Sequence, residues 1–549
     1  MAAALKRPAP EFDITPAPLA PVAPAAQSRS LLRFITCGSV DDGKSTLLGR
    51  LLYETGAVFE DQLEALTRDS QKFGTTGKDL DYALLLDGLS AEREQGITID
   101  VAYRYFSTPR RAFIAADTPG HEQYTRNMAT GASTADVAII LVDARKGLLP
   151  QTRRHSYITA MLGVRQVIVA VNKMDLVGYS EDTFRQIERD YRALAARLGF
   201  TEVHLVPLSA RMGDNVVPPS TTMPWYDGPP LLTLLETIEP TLSESREFRF
   251  PVQWVNRPNL DFRGYSGTVA SGNIAVGATV TVLPRGQSTT ISGITGPDGA
   301  QTTAHAGQAI TLTLAHEVDM SRGDVLVAAS TARPVLSRIA SVRLLALNEQ
   351  PLSPGRNYIL RLGTASTTAR IIGIDHQIDV HDYAPLPATT LAMNAIGQAQ
   401  LRFETAIVTT TYAECPTLGA LLLIDPQTNE TVALGIIDGI GEPAALPLKL
   451  VDTPIARLRK GLVRSGLISD GADDSAALRF ISWRIVSALL LAGIVWLASG
   501  APGVALIAGL TDLILRPLAR IAHDRISRKV EERLQSRADA ALSIDGGGI

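Results

Sequence analysis

Short apolar runs alternate with helix-like segments over the first part of the chain. The runs have the length of buried strands and occupy residues 31–37, 112–116, 137–142, 166–171 and 203–207. Strands that alternate with helices in this way predict a parallel sheet with helices on both of its faces. Ligands of such sheets bind beyond the carboxyl ends of the strands. The residues that directly follow each run are therefore the first candidates for a functional site.

The pattern changes at about residue 246, where apolar and polar residues alternate singly between frequent glycines and prolines. Residues 262–286 are one example, and a second set of such strands extends from about residue 333 to residue 441. This alternation indicates short antiparallel strands that close into barrels. We therefore predict an α/β domain over residues 31–245, a first barrel over 246–332 and a second barrel over 333–450.

Both ends of the chain have unusual compositions. Residues 1–30 are dominated by alanine and proline, which predicts a disordered leader, and prolines interrupt every stretch that could serve as a secretory signal. Residues 485–511 carry no charge, and this run is longer than the ~20 residues that a membrane-spanning helix needs. Because Gly500, Pro502 and Gly503 interrupt it, we predict two short helices of about 14 and 10 residues.

These two helices predict an apolar helical hairpin within a C-terminal domain of residues 475–549, which a linker of residues 451–474 joins to the second barrel. Basic residues flank the run on both sides, beginning with Arg484 before it and Arg516 after it. Flanks of this kind favour a hairpin that contacts the membrane through residues 485–511. The alternative is a buried hairpin packed on a partner subunit, because each half is shorter than a full span.

The composition is that of an ordinary globular protein and excludes a small binding module. The chain has 549 residues, with 52 Lys and Arg against 56 Asp and Glu, so its formal net charge is −4. Because no excess of positive charge would attract phosphate backbones, we expect no nucleic acid partner. The two cysteines, Cys37 and Cys415, form no CxxC motif, which argues against disulfides and thiolate zinc sites. A cytoplasmic location fits these features, with attachment to the inner face of the membrane if the hairpin enters lipid.

The first apolar run is followed by the spacing GxxxxGK[ST] of a phosphate-binding loop. Its glycines let backbone N–H groups turn inward around phosphate oxygens, and the next helix presents the positive end of its dipole. Lys44 would reach the β and γ phosphates, and the Ser45 hydroxyl would ligate Mg²⁺. The residues expected to contact the nucleotide here are Gly38, Ser39, Val40, Asp41, Asp42, Gly43, Lys44, Ser45 and Thr46.

Polar residues suited to the γ phosphate follow the second run. Asp117 can hold the Mg²⁺ shell, and the N–H of Gly120 can sense the γ phosphate. The Thr98 hydroxyl lies in a polar segment before this strand and could ligate Mg²⁺ only while the γ phosphate is present, which is the behaviour of a switch. His121 directly follows Gly120 and could position the attacking water. Lys44, Thr98 and His121 are therefore the candidate catalytic residues.

The fourth and fifth runs are followed by residues suited to a purine base. Asn172, Lys173 and Asp175 form an NKxD sequence, whose last carboxylate can accept two hydrogen bonds from the N1–H and exocyclic amine of guanine. Adenine has no such donor pair. Ser209 and Ala210 follow the fifth run, where a backbone N–H can address the guanine O6. These motifs, each after its own strand, predict that the ligand is GTP with Mg²⁺.

Taken together, the motifs resemble the translation-factor GTPases and, within that superfamily, the large GTPase subunits of bacterial two-subunit sulfate adenylyltransferases. The similarity rests on GSVDDGKSTLLGRLLYE at residues 38–54, where Ser39 and Asp42 replace two histidines of the elongation-factor form GHVDHGKST. LLLDGLSAEREQGITIDVAYRYF at 84–106 and MPWYDGPPLL at 223–232 add to it. The resemblance covers residues 31–450 and is weakest in the middle of the second barrel, at 374–411.

The resemblance implies an α/β P-loop GTPase domain followed by two antiparallel β-barrel domains. With the C-terminal apolar helical hairpin predicted from the uncharged run, this is the expected fold class. It implies a GTP-hydrolysing regulatory subunit that drives synthesis of adenosine 5′-phosphosulfate from ATP and sulfate on a separate small catalytic subunit. Residues 92–98 and 120–126 would be its movable parts. The chain has no SGGxDS-type loop for adenylyl transfer and no second GxxxxGK[ST] for a kinase extension.

Residues from about 478 onward resemble instead a small membrane domain of unknown function.

Two functions other than that of a sulfate adenylyltransferase subunit are alternatives for the whole chain. One is an elongation-factor-like GTPase that acts on tRNA or the ribosome, and the other is a membrane-tethered switch that recruits a partner.

Overall fold

The computed structural model describes residues 30–73, 80–86, 98–240, 247–259, 262–329, 335–441, 474–504 and 506–512. The chain divides into two compact units, residues 1–443 and residues 444–549, and each is described by itself. The predicted leader up to residue 29, most of the predicted linker and residues 92–97 of the predicted movable segment lie outside the described residues.

The first domain is built on a six-stranded sheet with the order β2-β3-β1-β4-β5-β6. The five strands predicted from the apolar runs are parallel, and β2 adds an antiparallel edge through its hairpin with β3. Every residue of β4 and β5 is buried because helices cover both faces of the sheet. The strands are β1 (Ser30–Cys37), β2 (Ala102–Ser107), β3 (Arg111–Asp117), β4 (Val137–Asp143), β5 (Gln166–Asn172) and β6 (Glu202–Pro207).

Two apolar layers hold the helices of this domain against the sheet. Leucines of α1 and α6 pack on one face, and apolar residues of α3, α4 and α5 pack on the other. The helices are α1 (Lys44–Glu54), α2 (Glu60–Phe73), α3 (Thr125–Ala132), α4 (Pro150–Met161), α5 (Glu181–Ala195) and α6 (Leu231–Thr237), with short 3-10 helices at Tyr82–Leu85, Glu122–Tyr124 and Met174–Val177.

The next domain is an antiparallel barrel. Six of its strands close on themselves in the order β10-β15-β7-β8-β14-β11, because β10 also pairs with β11. Alternate residues point inward to one apolar core that includes Phe250, Tyr265 and Leu312. The strands are β7 (Arg249–Asn256), β8 (Gly264–Thr268), β9 (Asn273–Ala275), β10 (Thr279–Leu283), β11 (Gln287–Gly296), β12 (Gly299–Gln301), β13 (Thr303–His305), β14 (Ala309–Leu314) and β15 (Val325–Ala328).

The third domain is a second six-stranded barrel, closed by pairing of β17 with β18 in the order β17-β21-β22-β16-β20-β18. The family resemblance is weakest at residues 374–411. This segment supplies the last residues of β18 and the whole of β20, so it completes the barrel. The elements are β16 (Val335–Ala346), β17 (Asn357–Leu362), β18 (Ala365–Ile378), β19 (Pro385–Leu386), β20 (Ile396–Thr409), α7 (Pro416–Gly419), β21 (Ala420–Ile424) and β22 (Thr431–Ile440).

The second barrel packs on the helical face formed by α3, α4 and α5. Leu345, Ile396 and Ile436 of the barrel belong to the same apolar cluster as the helices. The hydroxyl of Tyr412 donates to the carbonyl of Leu162, 2.6 Å away, just beyond the end of α4. The GTPase-like domain and this barrel therefore share a continuous buried interface.

The second unit contains α8 (Asp474–Ser499), and residues 502–504 and 506–512 are also helical. The predicted first helix of about 14 residues is wrong in length, because α8 has 26 residues. The prediction places the start of the helix where the uncharged run begins, at residue 485. Charged residues also form helix, so α8 begins earlier, at Asp474. α8 ends before Gly500, whose φ of +66° breaks the helical backbone. Within the described part of the chain, none of the helices is both long and apolar enough to cross a membrane.

Candidate functional site

The loop between β1 and α1 carries the residues that the sequence predicts to bind phosphate. Asp41 and Gly43 have the positive φ angles, +67° and +90°, that turn successive N–H groups toward one side. A Cβ atom at Gly43 would lie 2.5 Å from Nδ2 of Asn172, so this position requires glycine for space as well as for φ. Lys44 begins α1, and its Nζ donates to the carbonyl of Ser39, 2.8 Å away.

Two ionisable side chains of this loop are almost fully buried. Burial raises the pKa of Asp42 to about 6, although the nearby Lys44 acts in the opposite direction. Burial also lowers the pKa of Lys44, and the negative charges of Asp117 and Asp42 partly offset this decrease. Asp42 Oδ2 accepts the Ser39 N–H at 2.6 Å and so stabilises the turn. The loop therefore presents a desolvated ammonium group to a phosphate, where the attraction between charges is strong.

The predicted Mg²⁺ ligands lie together at the carboxyl ends of β1 and β3. Ser45 Oγ donates to Asp117 Oδ2 at 2.6 Å, and Thr98 Oγ1 lies 3.2 Å from Ser45 Oγ. Burial raises the pKa of Asp117, while hydrogen bonds from Ser45 and Thr36 lower it. Two hydroxyls and one carboxylate are oxygen donors of the kind Mg²⁺ takes alongside phosphates and waters, so the residues fit this ion. Among the described residues, no cluster of three or more His, Cys, Asp or Glu side chains offers another metal site.

The loop after β3 lies directly against the phosphate-binding loop. A Cβ atom at Gly120 would be 2.5 Å from Lys44 Nζ and 2.7 Å from the carbonyl carbon of Ser39. Only glycine allows this close approach. His121 is exposed, and its Nδ1 accepts the N–H of Gln123 at 3.3 Å, which caps the short helix Glu122–Tyr124. His121 thus directly follows the close contact of Gly120 with the loop after β1, and its ring is held at Nδ1.

The predicted base-binding residues meet beyond β5 and β6. Ser209 Oγ donates to Asp175 Oδ1 at 2.7 Å, and the N–H of Ala210 donates to Asn172 Oδ1 at 2.9 Å. Asn172 Nδ2 donates to the carbonyl of Asp42 at 2.7 Å, which ties this region to the phosphate-binding loop. The two halves of the predicted nucleotide site are therefore continuous.

Lys173 also joins the base-binding region to the phosphate-binding loop. Its ammonium group contacts the carbonyl of Asp41 and lies 3.0 Å from Asp143 Oδ2. Burial alone would raise the pKa of Asp143, but hydrogen bonds from Arg145 and Lys173 hold it below its usual range. A permanently charged Asp143 can therefore keep Lys173 in place.

Sequence reasoning missed three residues that support this site. Thr36 Oγ1 donates to Asp117 Oδ1 at 2.7 Å, and β-sheet register alone pairs these two positions. Asp143 is likewise paired with Asn172 by register.

The third of these residues is His155 of α4, which is fully buried, and its Nδ1 accepts the N–H of Gly38 at 3.2 Å. Burial, together with Lys44, lowers the pKa of His155 to about 3, so the ring is a neutral acceptor. No motif in the sequence marks His155, because its partner is a backbone group 117 residues away.

Comparison with known protein families assigns two of the three domains. Residues 29–244 match the family described as Elongation factor Tu GTP binding domain. Residues 340–438 match the family described as GTP-eEF1A C-terminal domain-like. The solved structures that this chain resembles include Sup35 complexed with GDP, at 22% identity over 75% of this chain and 95% of that chain with a TM-score of 0.35. The GTP-bound GTPase-like domain of S. cerevisiae Ski7 is similar at 16% identity over 74% and 97%, with a TM-score of 0.43.

A curated relative covers more than the nucleotide domain. Sulfate adenylyltransferase subunit 1 of Citrobacter koseri is 54% identical over 426 residues, which span 77% of this chain and 90% of the relative. The matched length is about twice that of the GTPase domain, and at that identity the two chains share a family. The chain therefore belongs to the sulfate adenylyltransferase subunit 1 family, as a GTPase-domain member of it.

Proposed function

We propose that this chain binds GTP with Mg²⁺ at the carboxyl ends of β1, β3, β5 and β6 and hydrolyses it. The observation that carries this proposal is the continuity of the site, since Asn172 joins the base-binding residues to the phosphate-binding loop and Ser45 joins that loop to Asp117 and Thr98. In this proposal Lys44 binds the β and γ phosphates, and Asp175 selects guanine. Mg²⁺, when bound, would neutralise charge on the phosphates.

The residues around the γ phosphate have separate roles in the proposed reaction. Thr98 and Ser45 would hold the Mg²⁺ through their hydroxyls. The backbone of Gly120 lies against Lys44, since a Cβ atom at Gly120 would be 2.5 Å from Lys44 Nζ, and its N–H contacts the same phosphate in this proposal. His121 positions the attacking water. Because its Nδ1 accepts a backbone N–H, its Nε2 is the nitrogen that remains to face the water.

The function of the complex follows from the family. The chain is the GTPase subunit of sulfate adenylyltransferase, in which GTP hydrolysis is coupled to synthesis of adenosine 5′-phosphosulfate from ATP and sulfate. We infer that ATP and sulfate bind to a separate small catalytic subunit. Family membership favours this function over delivery of tRNA and over a switch that only recruits partners.

The nucleotide site is tested by GTP binding to the full chain. Lys44→Ala should lower the affinity for a fluorescent GTP analogue by about a hundredfold or more, because a buried cation is lost from the phosphates. Arg189→Ala, on the exposed side of α5, is the control and should bind GTP as the natural chain does. Equal affinity of the Lys44→Ala variant and the natural chain would remove the phosphate-binding assignment.

We also propose that the C-terminal unit contacts the membrane from one side, with the apolar hairpin of residues 485–511 in the lipid interface. Support comes from large apolar side chains that are exposed on this unit. They are Val486, Leu489, Leu490, Ile494, Trp496, Leu497, Val504, Leu506, Ile507 and Leu510. Gly509 supports a hairpin, because a Cβ atom there would lie 3.1 Å from Ala488 O and from Ala492 Cβ.

Flotation with phosphatidylcholine and phosphatidylglycerol vesicles tests this contact. The full chain should float, and the double variant Leu490→Asp with Ile494→Asp should remain at the bottom, because charge in the interface is costly. Val276→Asp, at an exposed apolar position of the first barrel, is the matched control. Equal flotation of all three proteins, or none, would refute the proposed contact. Attachment to the inner face of the cytoplasmic membrane stays a prediction that depends on this result.

A further inference from the structure

Glu122, the residue directly after His121, is held at two points by side chains from other parts of the protein. Its carboxylate Oε1 lies 2.8 Å from Nη1 of Arg154 on α4. Its backbone carbonyl accepts a hydrogen bond from Nδ2 of Asn394 in the second barrel, at 3.0 Å. The same carbonyl also accepts the Thr125 hydroxyl at 2.6 Å. None of the nucleotide motifs includes Arg154 or Asn394.

Arg154 connects Glu122 to the phosphate-binding loop. The Nη1 group that contacts Glu122 also donates to Gln151 Oε1 at 2.7 Å. Nε2 of Gln151 lies 2.9 Å from Nε2 of His155, and the other ring nitrogen of His155 accepts the N–H of Gly38. A continuous chain of polar contacts on α4 therefore joins the loop after β3 to the loop after β1. These two loops lie on either side of the proposed γ-phosphate position.

Asn394 brings the second barrel into the same arrangement. Its backbone has a φ of +64°, a conformation that Asn adopts more readily than other residues with a side chain. Its N–H donates to the carbonyl of Ala346 at 2.9 Å, just where β16 ends. The side chain is 7% exposed, so its amide has little freedom. The barrel framework thus fixes the position from which Asn394 donates to Glu122.

We propose that Arg154 and Asn394 are positioning residues for GTP hydrolysis, which fix the backbone beside His121 from two sides. This inference rests on the proposed function, because His121 must act on the attacking water. A water-positioning group has to stay within hydrogen-bond distance of the water, and a shift of about 1 Å can greatly reduce the rate. Through Asn394, the second barrel influences this geometry, so a partner that moves the barrel also changes the rate of hydrolysis.

The contacts of Glu122 contribute little to the stability of the fold. In the ion pair the Glu122 side chain is 56% exposed and the Arg154 side chain is 14% exposed. Because solvent screens the exposed carboxylate, the pair contributes only modestly to stability. The Glu122 carbonyl keeps the Thr125 hydroxyl as a partner when Asn394 is replaced. Substitutions of Glu122 and Arg154 should therefore change the rate of hydrolysis more than the folding.

The test measures GTP turnover by the full chain copurified with its small catalytic subunit, in the presence of ATP and sulfate. Arg154→Met and Asn394→Asp should each lower kcat about tenfold while the Kd for GTP changes less than about twofold. Asp has the shape and backbone tolerance of Asn but no N–H to donate. Arg185→Met, in an ion pair on α5, and Asn429→Asp, at an exposed left-handed position of the same barrel, are matched controls that should keep the natural rate.

Further variants distinguish positioning from a structural effect. Glu122→Gln, at an exposed position, should lower kcat as Arg154→Met does. The double variant Glu122→Gln with Arg154→Met should be no slower than either single variant, because both substitutions remove the same contact. Arg154→Lys should restore part of the rate because it keeps the charge. In a His121→Ala background, Arg154→Met should cause little further loss. Equal losses in kcat and GTP affinity, a large fall in Tm, or additive losses on top of His121→Ala would overturn the inference.

The natural chain and Lys44→Ala separate this inference from the proposed function. If the natural chain in the complex hydrolyses no GTP, the proposed function fails. If it hydrolyses GTP, Lys44→Ala does not, and the Glu122, Arg154 and Asn394 variants all keep the natural rate, only the positioning role fails.

Discussion

At the scale of single residues, Asp175 is the proposed determinant of specificity for guanine. Its carboxylate is fixed by the Ser209 hydroxyl, which donates to Oδ1 at 2.7 Å. Fixing one oxygen in this way orients the carboxylate for two parallel hydrogen bonds to guanine. The motif NKxD indicates the role, while the contact with Ser209 supplies the geometry.

We expect Asp175→Asn to lower the affinity for GTP about a hundredfold, because one of the two base hydrogen bonds would face a donor instead of an acceptor. The Ser209 hydroxyl can still donate to the new side chain, so the loop should keep its conformation. Xanthosine triphosphate, which has a carbonyl where guanine has its amine, should bind the variant better than GTP does. Competition binding measures this preference, with Asp190→Asn on α5 as the control. Unchanged selectivity for GTP would count against the base-binding role.

We expect His155 to make the stability of the fold depend on pH. Its pKa is lowered from 6.5 to about 3 by burial, so the folded state holds the ring neutral while the unfolded state protonates it below about pH 6.5. The contribution of the neutral His155 ring to the free energy of unfolding is therefore fully present above pH 6.5. It is lost as the pH falls from 6.5 toward 3.

His155→Asn keeps an acceptor for the N–H of Gly38 but removes the titrating group. We expect the free energy of unfolding of the natural chain to fall more steeply below pH 6.5 than that of the variant, by up to about 1.4 kcal/mol per pH unit. Urea unfolding at several pH values measures the two slopes. Parallel slopes would show that His155 does not carry this dependence.

At the scale of elements, α4 is the helix on which the nucleotide domain and the second barrel meet. The Tyr383 hydroxyl donates to the carbonyl of Arg153, near the start of α4, at 2.9 Å. The Tyr412 hydroxyl donates to the carbonyl of Leu162, just after the end of α4, at 2.6 Å. Between these two anchors, Arg154 and His155 face the loops of the nucleotide site. The helix thus joins the barrel to the loops of the candidate nucleotide site through two sets of contacts.

Tyr412→Phe removes one anchor of α4 without changing the apolar packing. The carbonyl of Leu162 would lose a buried partner, and we expect the free energy of unfolding to fall by about 1 kcal/mol. The affinity for GTP should stay the same, because Tyr412 touches none of the nucleotide loops in the described contacts. Chemical denaturation and GTP titration test the two parts of this expectation. A change in GTP affinity without a change in stability would show that the anchor acts on the nucleotide site rather than on the fold.

At the scale of the whole molecule, the chain combines a nucleotide site with two barrels and an additional helical unit. Coupling between GTP hydrolysis and chemistry on another subunit requires that both ligands favour the same conformational state. The buried interface between the nucleotide domain and the second barrel, which includes Leu345 and Ile396, gives such a state a physical basis.

We expect GTP turnover by the full chain to rise about tenfold when the small catalytic subunit, ATP and sulfate are all present, which is within the usual range of coupling between sites. Omission of sulfate should return the rate to its basal value. Total RNA is the control for the elongation-factor alternative and should have no effect. Stimulation by RNA, with none by the catalytic subunit and its substrates, would favour that alternative.

The sequence by itself determined the α/β domain followed by two barrels, and it indicated which loops are the candidates for binding a nucleotide. These features depend on local spacing and periodicity, because glycines, strand length and the residues after each strand are fixed by neighbours in the chain. The five parallel strands and their loops occur where the apolar runs predict them. The local pattern failed at the start of α8, where hydropathy changes at a position that does not limit a helix.

Only the tertiary structure decided which distant groups support the site. The contact of His155 with Gly38 and the two contacts of Glu122 join residues that are far apart in the chain. Their partners are often backbone atoms, which every residue has, so no residue type in the sequence marks them. Long-range contacts of this kind depend on how the sheet, α4 and the second barrel pack together, and packing is a property of the folded chain as a whole.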